Sequence, residues 1–307
     1  MANHTVARVA PARFRVPSKL FPYLLSLPAL LVCIGILIPF FTAVWFSLQR
    51  YRLSQPWNRG MNWGENYVNF LTDPSFWNTL QVSLVYAALT VGLELLLGLG
   101  IALLLQKRSR FNNFISIMLL LPLMTAPALA ALMFKLMTNP NFGILSYFAQ
   151  LLGFENMRWG SDPSTALLTV VLVDIWVYTP FIMILLLAGL RSLPKQPFEA
   201  AALDGVPRLQ QFWRITLPML LPYILTASLF RLLDSIQQFD IIYALTQGGP
   251  GDRLMVFQVE AYLNFFQFTN VGRSAALLLI LWAITFFLSN LFIKNWLRLR
   301  ERGRGEA

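Results

Sequence analysis

Long apolar stretches alternate with shorter polar intervals along the 307 residues of this chain. Each apolar stretch reaches the length of roughly 20 residues that a helix needs to cross the hydrocarbon core of a membrane. Charged residues, prolines, glycines and asparagines fill the intervals, as is typical of turns and loops. The pattern predicts six membrane-spanning helices, over residues 21–48, 78–106, 113–137, 164–190, 218–245 and 274–296.

The composition also indicates an integral membrane protein. Hydrophobic residues make up 57% of the chain and charged residues only 12%, whereas soluble domains carry about 25% charged residues. The first apolar stretch is too long for the hydrophobic part of a secretory signal, and no A-x-A cleavage pattern follows it. We therefore predict an all-α membrane fold over 21–296, with an N-terminal tail of 1–20 and a basic tail of 297–307.

The distribution of Lys and Arg predicts the orientation of the chain. Sixteen of these residues, with Lys294 at the end of span six included, lie in the two tails, in the turn between spans two and three, and between spans four and five. Six lie in the other intervals. Because basic residues accumulate on the cytoplasmic side, both termini are predicted to be cytoplasmic, with three outer loops at 49–77, 138–163 and 246–273. The net charge of +10 is explained by these tails and loops, so no nucleic-acid partner is predicted.

Side chains suited to catalysis or metal binding are scarce. The chain has one histidine, His4, and one cysteine, Cys33, so an internal disulfide and a Cys/His metal pattern are excluded. None of the lysines follows a glycine, which excludes the GxxxxGK[ST] phosphate-binding loop. We predict that the chain is not an enzyme and holds no catalytic residue, metal or cofactor.

The most polar long segment between two spans is EAAALDGVPRLQQFWRITLPMLLP, residues 199–222. Pro197 suits the first turn of a helix and Gly205 suits its end, which predicts a short helix made slim by its alanines. Pro207 begins a second helix that leads into span five. The short helix is either a docking surface for a partner or an amphipathic helix on lipid headgroups, which Trp213 would suit.

Ionisable residues within the spans form a second candidate site, since such groups face a polar cavity or each other. Arg231, Asp234, Ser235 and Gln238 share one face of span five at helical spacing. Hydroxyls, amides and a charge pair suit the hydroxyls of a sugar, which both donate and accept hydrogen bonds. Two alternatives remain open: a structural Arg231–Asp234 ion pair that joins two spans, and an anionic ligand for Arg231.

Two further sets of residues are candidates for binding. Span four carries Asp174, Trp176, Tyr178 and Thr179, whose two aromatic rings suit either a sugar face or core packing; Glu94 in span two is interpreted as structural. Gly248, Gly249 and Pro250 predict a tight turn after span five, which is either a plain connection or a contact surface.

The polar segment resembles the EAA signature of permease subunits of binding-protein-dependent ABC importers. The match comprises Glu199, Ala200, Ala201, Gly205, Ile215, Leu217 and Pro218 at the spacing of that signature, and Asp204 also suits it. ELLLGLGIALLL (94–105) and FDIIYALTQGGPG (239–251) are similar to the carbohydrate-uptake branch, which includes maltose-type and glycerol-phosphate-type permeases. The resemblance implies a type I transmembrane domain of six helices, with residues 197–218 as a cytoplasmic coupling segment between helices four and five.

The resemblance also implies a function and partners. It implies uptake of a sugar or sugar-like solute (an oligosaccharide, glycoside or polyol derivative) across the bacterial cytoplasmic membrane by alternating access. The implied partners are a second, homologous permease in a heterodimer, two ATPase subunits that bind ATP and Mg, a periplasmic or lipid-anchored solute-binding protein, and membrane lipid.

The resemblance assigns roles to three sets of residues. The set that contacts the ATPase comprises Glu199, Ala200, Ala201, Asp204 and Gly205, with Glu199 paired to a basic residue of that subunit. The set that lines the solute path comprises Asp174, Trp176, Tyr178, Thr179, Arg231, Asp234, Ser235 and Gln238. The set that contacts the binding protein comprises Gly248, Gly249 and Pro250.

Two other classes of membrane protein were weighed against this one. A stand-alone secondary transporter predicts inverted repeats with matched broken helices, which the sequence does not display. A membrane scaffold or sensor predicts a sizeable soluble domain, whereas every predicted loop is short. The importer subunit is therefore the prediction that the sequence favours.

Overall fold

The computed structural model describes residues 21–154 and 157–305 of the chain. The chain divides into two compact units, 1–45 and 46–307, and each is described by itself. The first unit holds most of α1 (Phe21–Ser47), whose apolar side chains between Leu25 and Phe41 are largely exposed. A helix that is apolar on every side is typical of a membrane span. The predicted tail of 1–20 lies outside the described residues.

The second unit is built mainly from helices. A short antiparallel pair, β1 (Gln49–Arg50) and β2 (Gly60–Met61), precedes them. The helices are α2 (Glu65–Thr72), α3 (Pro74–Leu105), α4 (Arg110–Leu119), α5 (Pro127–Met137), α6 (Ile144–Leu151), α7 (Ala166–Ser192), α8 (Gln196–Leu203), α9 (Arg208–Gln211), α10 (Leu217–Ile236), α11 (Asp240–Thr246), α12 (Phe257–Phe266) and α13 (Val271–Gly305). Short 3-10 turns lie at Pro56–Asn58, Pro122–Met124 and Trp159–Ser161, and a π-helical turn at Phe212–Thr216 joins α9 to α10.

Among the described residues, five helices are long and apolar enough to cross a membrane. The pair α4 and α5 makes a sixth if the two are counted as one span, although they meet at a bend of 91°. The prediction of an all-α membrane fold is confirmed. The short helix α8 stands between the fourth and fifth of the predicted spans, in the segment where the sequence predicts one.

One predicted span, 113–137, is interrupted by a sharp bend. The chain leaves α4 after Leu119 and enters α5 at Pro127, with a 3-10 turn between them. Pro122 and Pro127 lack the amide hydrogen that a continuous helix needs, and the residue before a proline avoids the helical region. Ala126 is accordingly extended.

The span predicted over 218–245 is also divided, into α10 and α11. The amide of Gln237 donates to the carbonyl of Asp234 at 3.1 Å, and that of Gln238 to the carbonyl of Ser235 at 3.2 Å. Such short-range bonds tighten the last turn of a helix and end it. The C-terminal helix, in contrast, is longer than the predicted span. It continues as far as Gly305, through most of the predicted tail.

The core of the second unit is centred on α3, α7 and α10, which approach each other at small residues. A side-chain carbon built on Gly98 of α3 would lie 2.7 Å from Cγ2 of Ile182 in α7. The same construction on Gly189 of α7 would place a carbon 2.6 Å from the ring of Tyr223 in α10. Small residues at these crossings permit the close backbone approach on which helix association in membranes depends.

Candidate functional site

A buried ionic cluster joins the three central helices. The guanidinium of Arg231 in α10 donates from Nε to Oε2 of Glu94 in α3 at 2.6 Å, and from Nη2 to Oε1 of Glu94 at 3.0 Å. It also donates from Nη2 to Asp174 in α7, and from Nη1 to Asp234 at 2.9 Å. Arg231, Glu94 and Asp174 are almost completely buried. The planar fork of the guanidinium thus satisfies carboxylates from three helices with charge-assisted hydrogen bonds.

A second layer of polar contacts surrounds this cluster. The amide of Gln238 donates from Nε2 to Oδ1 of Asp174 at 3.0 Å. The hydroxyls of Ser235 in α10 and Thr90 in α3 are 2.8 Å apart. The guanidinium carbon of Arg231 lies 4.1 Å from the centroid of the Tyr178 ring, within the range of a cation–π interaction. Polar contacts beyond the ion pairs therefore also join α10 and the residues after it to α3 and α7.

The structure divides the predicted solute-path residues into a buried and an accessible group. The buried group comprises Asp174, Thr179, Arg231, Ser235 and Gln238. The accessible group comprises Asp234, whose side chain is 54% exposed, Trp176, which is 37% exposed, and Tyr178, which is half-buried. The predicted face of span five is therefore not one open polar surface, because α3 and α7 cover most of it.

The predicted Arg231–Asp234 pair is confirmed, but it is only one contact of Arg231. The sequence predicts a structural role for Glu94 but does not indicate its partner, Arg231, which lies 137 positions away along the chain. The ring of Trp176 meets that of Phe134 edge-on, with centroids 5.4 Å apart. The structural alternative left open for the charge pair and for this aromatic residue thus has direct geometric support.

The second candidate site is the segment around α8. Pro197 lies in the first turn of this helix, and Gly205 after its end has a φ of +67°, a left-handed conformation that suits glycine. Ala201 is buried and its carbonyl accepts a hydrogen bond from the amide of Val206 at 2.9 Å. Glu199 is exposed and Leu203 is 89% exposed. The helix is therefore held through Ala201, while an acid and a large apolar side chain remain free.

Hydrogen bonds to the C-terminal end of α3 and to α4 hold the end of α7, which α8 follows. Arg191, in the last turn of α7, donates from Nη2 to the carbonyl of Leu105 at 3.0 Å and to Oδ1 of Asn113 at 3.3 Å. A cleft of about 720 Å³ beside α8 is lined in part by Arg108, Lys195 and Glu199. The exposed surface of α8 therefore lies next to a cleft whose charged lining residues are three basic side chains and one acidic one.

The turn after α11 combines buried and exposed residues. Gly248 is buried, and a side-chain carbon there would lie 3.2 Å from Met255 and Val259. Gly249 and Pro250 are half-buried. The exposed part of this turn is instead 251–253. The φ of +90° and the close neighbours of Gly248 give it a structural role inside the turn, and contact of this turn with a binding protein stays a prediction.

The N-terminal end of α3 is fastened to this turn and to α12. Asn78 donates from Nδ2 to the carbonyl of Asp252 at 2.9 Å, and the hydroxyl of Thr79 donates to Oε2 of Glu260 at 2.7 Å. Burial raises the pKa of the Glu260 carboxyl above its ordinary value, and the Thr79 hydrogen bond opposes that rise. Hydrogen bonds therefore join the N-terminal end of α3 to the turn after α11 and to α12.

Comparison with known proteins gives a consistent set of relatives. The trehalose/maltose transport system permease protein MalF of Thermococcus litoralis is 31% identical over 273 residues, covering 89% of this chain and 92% of the relative. The sulfoquinovosyl glycerol transport system permease protein SmoG of Agrobacterium fabrum is 31% identical over 230 residues, covering 75% of each chain. The trehalose transport system permease protein SugA of Mycobacterium tuberculosis is 31% identical over 282 residues, covering 91% of this chain and 90% of the relative.

The solved structures agree on the fold. A chain of the bacterial alginate ABC transporter, in complex with an alginate pentasaccharide-bound periplasmic protein, superposes with a TM-score of 0.75 at 18% identity, covering 89% of this chain and 94% of that chain. Residues 94–299 match the family described as the inner membrane component of binding-protein-dependent transport systems. The chain therefore belongs to that family of inner membrane permease components.

Proposed function

We propose that this chain is the permease subunit of an ATP-driven importer that moves a sugar or sugar-like solute across the bacterial cytoplasmic membrane. Membership of the permease family supports the importer role. Relatives named for trehalose, maltose and sulfoquinovosyl glycerol support a saccharide or glycoside as the solute. The candidate solutes are an oligosaccharide, a glycoside or a polyol derivative.

In this proposal the solute passes between this chain and a second, homologous permease. Asp234, Trp176 and Tyr178 offer accessible hydrogen-bonding and ring surfaces to the solute, which suits sugar hydroxyls and sugar faces. The buried residues Asp174, Thr179, Arg231, Ser235 and Gln238 hold these groups in position. The cluster around Arg231 keeps α3, α7 and α10 together while the two permeases alternate between inward and outward access.

The observation that carries the proposal is the form of α8. It is an eight-residue helix anchored through Ala201, and it exposes Glu199 and Leu203 between two long spans. A slim helix of this kind fits a recess in a separate ATPase subunit, with Glu199, Ala200, Ala201, Asp204 and Gly205 at the contact. ATP and Mg are bound by two such subunits, whose closure moves α8 and the spans attached to it.

The proposed orientation follows from the distribution of basic residues. The tails of 1–20 and 297–307 and the coupling segment of 197–218 face the cytoplasm. The loops at the N-terminal end of α3 face outward and receive a periplasmic or lipid-anchored binding protein. The turn that contains Gly248, Gly249 and Pro250, with the exposed residues 251–253 beside it, belongs to that receiving surface.

Reversal of charge at Glu199 tests the coupling role. We expect Glu199→Arg to abolish solute uptake while the chain remains in the membrane at the normal amount, because the replaced carboxylate no longer pairs with a basic residue of the ATPase. Uptake of radiolabelled sugar and membrane content by immunoblot are measured together. Gln210→Arg places the same side chain at another exposed position of the segment and serves as the matched control.

The results separate coupling from lipid binding. If α8 lies on lipid headgroups instead, an added arginine favours contact with anionic lipid, and Glu199→Arg retains uptake. Normal uptake in that variant would remove the coupling role. Loss of uptake in both variants would show that any added charge in this segment is harmful, and would also remove the specific role of Glu199.

A further inference from the structure

A polar cleft lies near the N-terminal end of α3, away from α8 and from the Arg231 cluster. It has a volume of about 330 Å³, and its walls come from the loop around the β1–β2 pair, from α2 and from the start of α13. We call it the outer cleft. Its lining is dominated by amide and guanidinium side chains, including Arg52, Gln55, Asn58, Asn62 and Asn69.

The frame of the outer cleft is fixed by hydrogen bonds to the backbone. Asn66 donates from Nδ2 to the carbonyls of Ser47 at 2.7 Å and Gln49 at 3.1 Å. The amide of Leu53 donates to the carbonyl of Thr269 at 2.8 Å. These contacts tie the loop to α2 and to the segment before α13, so the cleft is a built feature of the fold.

Two of the three arginines in the cleft already have carboxylate partners. Arg50 donates from Nε to Oε2 of Glu65 at 2.8 Å, and Arg273 donates from Nη2 to Oδ2 of Asp73 at 3.0 Å. The third, Arg52, has no hydrogen bond or ion pair from its side chain within the described ranges. The cleft therefore offers one uncompensated guanidinium.

Several amides in the same cleft are also uncommitted. In the part of the chain that the structure describes, the side chains of Gln55, Asn58 and Asn69 make no intramolecular hydrogen bond. The Nδ2 of Asn62 is buried without an acceptor, although its Oδ1 accepts from the amide of Gly64 at 3.4 Å. A buried donor without a partner is unfavourable because it has lost its hydrogen bonds to water, so this position favours a bound acceptor.

The chemistry of these groups selects a class of ligand. Amides both donate and accept, and a guanidinium presents a planar fork of donors, which together match a ring of hydroxyl groups. Trp57 and Trp63 adjoin Asn58 and Asn62 in sequence and are 82% and 84% exposed, but they are not part of the lining of the cleft. The volume of the cleft lies within the range of small-molecule sites, roughly 300–1,000 Å³.

We propose that the outer cleft is a second saccharide-binding site, separate from the solute path, with Arg52, Asn58 and Asn62 as its principal donors. The choice of a saccharide rests on the proposed function of the chain. The position of the cleft among loops proposed to face outward gives it access to solute before the solute enters the path between the two permeases.

Direct binding to the full chain tests this site. The chain is reconstituted in phosphatidylcholine nanodiscs without its partners, and trehalose and maltose are titrated with saturation-transfer difference NMR as the readout. We expect saturable binding that Arg52→Ala and Asn58→Ala each weaken by about tenfold, the effect of losing one charged or bidentate hydrogen-bond partner. Arg158→Ala, at another exposed arginine that does not line the cleft, is expected to leave binding unchanged.

Three results would overturn the site: no saturable binding of either sugar, binding that Arg52→Ala leaves intact, or equal weakening by Arg158→Ala. Titration with inorganic phosphate and repetition in phosphatidylglycerol nanodiscs test whether the cleft binds a lipid headgroup instead. Binding of phosphate, or displacement of the sugar by the anionic lipid, would also overturn the proposal. Sugar uptake by cells that express the whole importer is measured separately. If cells take up the sugar but the isolated chain shows no cleft-dependent binding, only the proposed second site is refuted. If cells take up no sugar, the proposed function is refuted.

Discussion

Arg231 is the residue on which the interior of the second unit most depends. Its single positive charge faces three carboxylates, of which those of Glu94 and Asp174 are completely buried. Removal of one partner from a buried ion pair costs about 3–5 kcal/mol, because the remaining charge is left without compensation in a medium of low polarity. In this cluster, removal of the arginine leaves two buried carboxylates at once.

We therefore expect Arg231→Met to lower the stability of the protein strongly. The expected loss is at least about 3 kcal/mol, seen as a lower temperature of unfolding in detergent. Arg253→Met, at an exposed arginine, is the matched control and should change little. A melting temperature for Arg231→Met equal to that of the control would contradict the structural role.

A combined variant separates lost charge balance from lost packing. Adding Glu94→Gln and Asp174→Asn to Arg231→Met removes both buried negative charges together with the positive one. Replacement of a whole buried ionic group by neutral side chains is often close to neutral in stability, so we expect a partial return of the melting temperature. A further fall would mean that packing or hydrogen bonding, and not charge balance, dominates the cluster.

Only one of the contacts of Arg231 can be predicted from the sequence. The Arg231–Asp234 contact is predictable because residues three apart on a helix are neighbours. The contacts of Arg231 with Glu94 and Asp174 join three separate helices, and helical spacing alone does not specify which faces meet. For the same reason the sequence could not predict that Ser235 and Gln238 are buried while Asp234 remains exposed.

At the scale of an element, α3 provides a direct test of helix packing. A side-chain carbon on Gly98 would lie 2.7 Å from Ile182 Cγ2 and 3.1 Å from the backbone nitrogen of Met183, whereas one on Gly100 would meet nothing within 4 Å. We expect Gly98→Ala to destabilise the protein by about 1–3 kcal/mol, the usual cost of overpacking. Gly100→Ala should leave stability unchanged or slightly higher, since alanine favours the helix.

The two variants add the same methyl group at positions two residues apart in α3, so their unfolding temperatures in detergent can be compared directly. Equal melting temperatures would contradict the close approach of α3 and α7 at Gly98. A fall for Gly100→Ala alone would mean that the opposite face of α3 is the one covered by a neighbouring helix.

Some helix boundaries are predicted well from the sequence and others poorly. Apolar length identifies a span well, and α3 and α7 lie close to their predicted limits. It does not reveal where an apolar stretch bends, as at the turn between α4 and α5, or stops, as α10 does before Phe239. In the first case Pro122 and Pro127 were visible in the sequence, but prolines are also tolerated inside membrane helices, as Pro180 is inside α7.

At the scale of the whole molecule, the chain presents surfaces that its own residues do not cover. The large apolar side chains of Leu203, Leu209 and Trp213 around α8 are more than half exposed. An exposed apolar surface beside polar groups is typical of a site that contacts another protein or a membrane. The EAA pattern predicted the position of this segment from sequence alone, because it rests on local spacing and not on tertiary contacts.

The composition of the assembled complex decides whether this chain is an importer subunit. The chain is expressed together with its neighbouring genes, purified in mild detergent, and analysed by native mass spectrometry. The proposed function predicts a complex of one copy of this chain, one different permease and two ATPase subunits. A monomer or homodimer without an ATPase, from cells that produce the ATPase, would contradict the proposal and favour a stand-alone transporter.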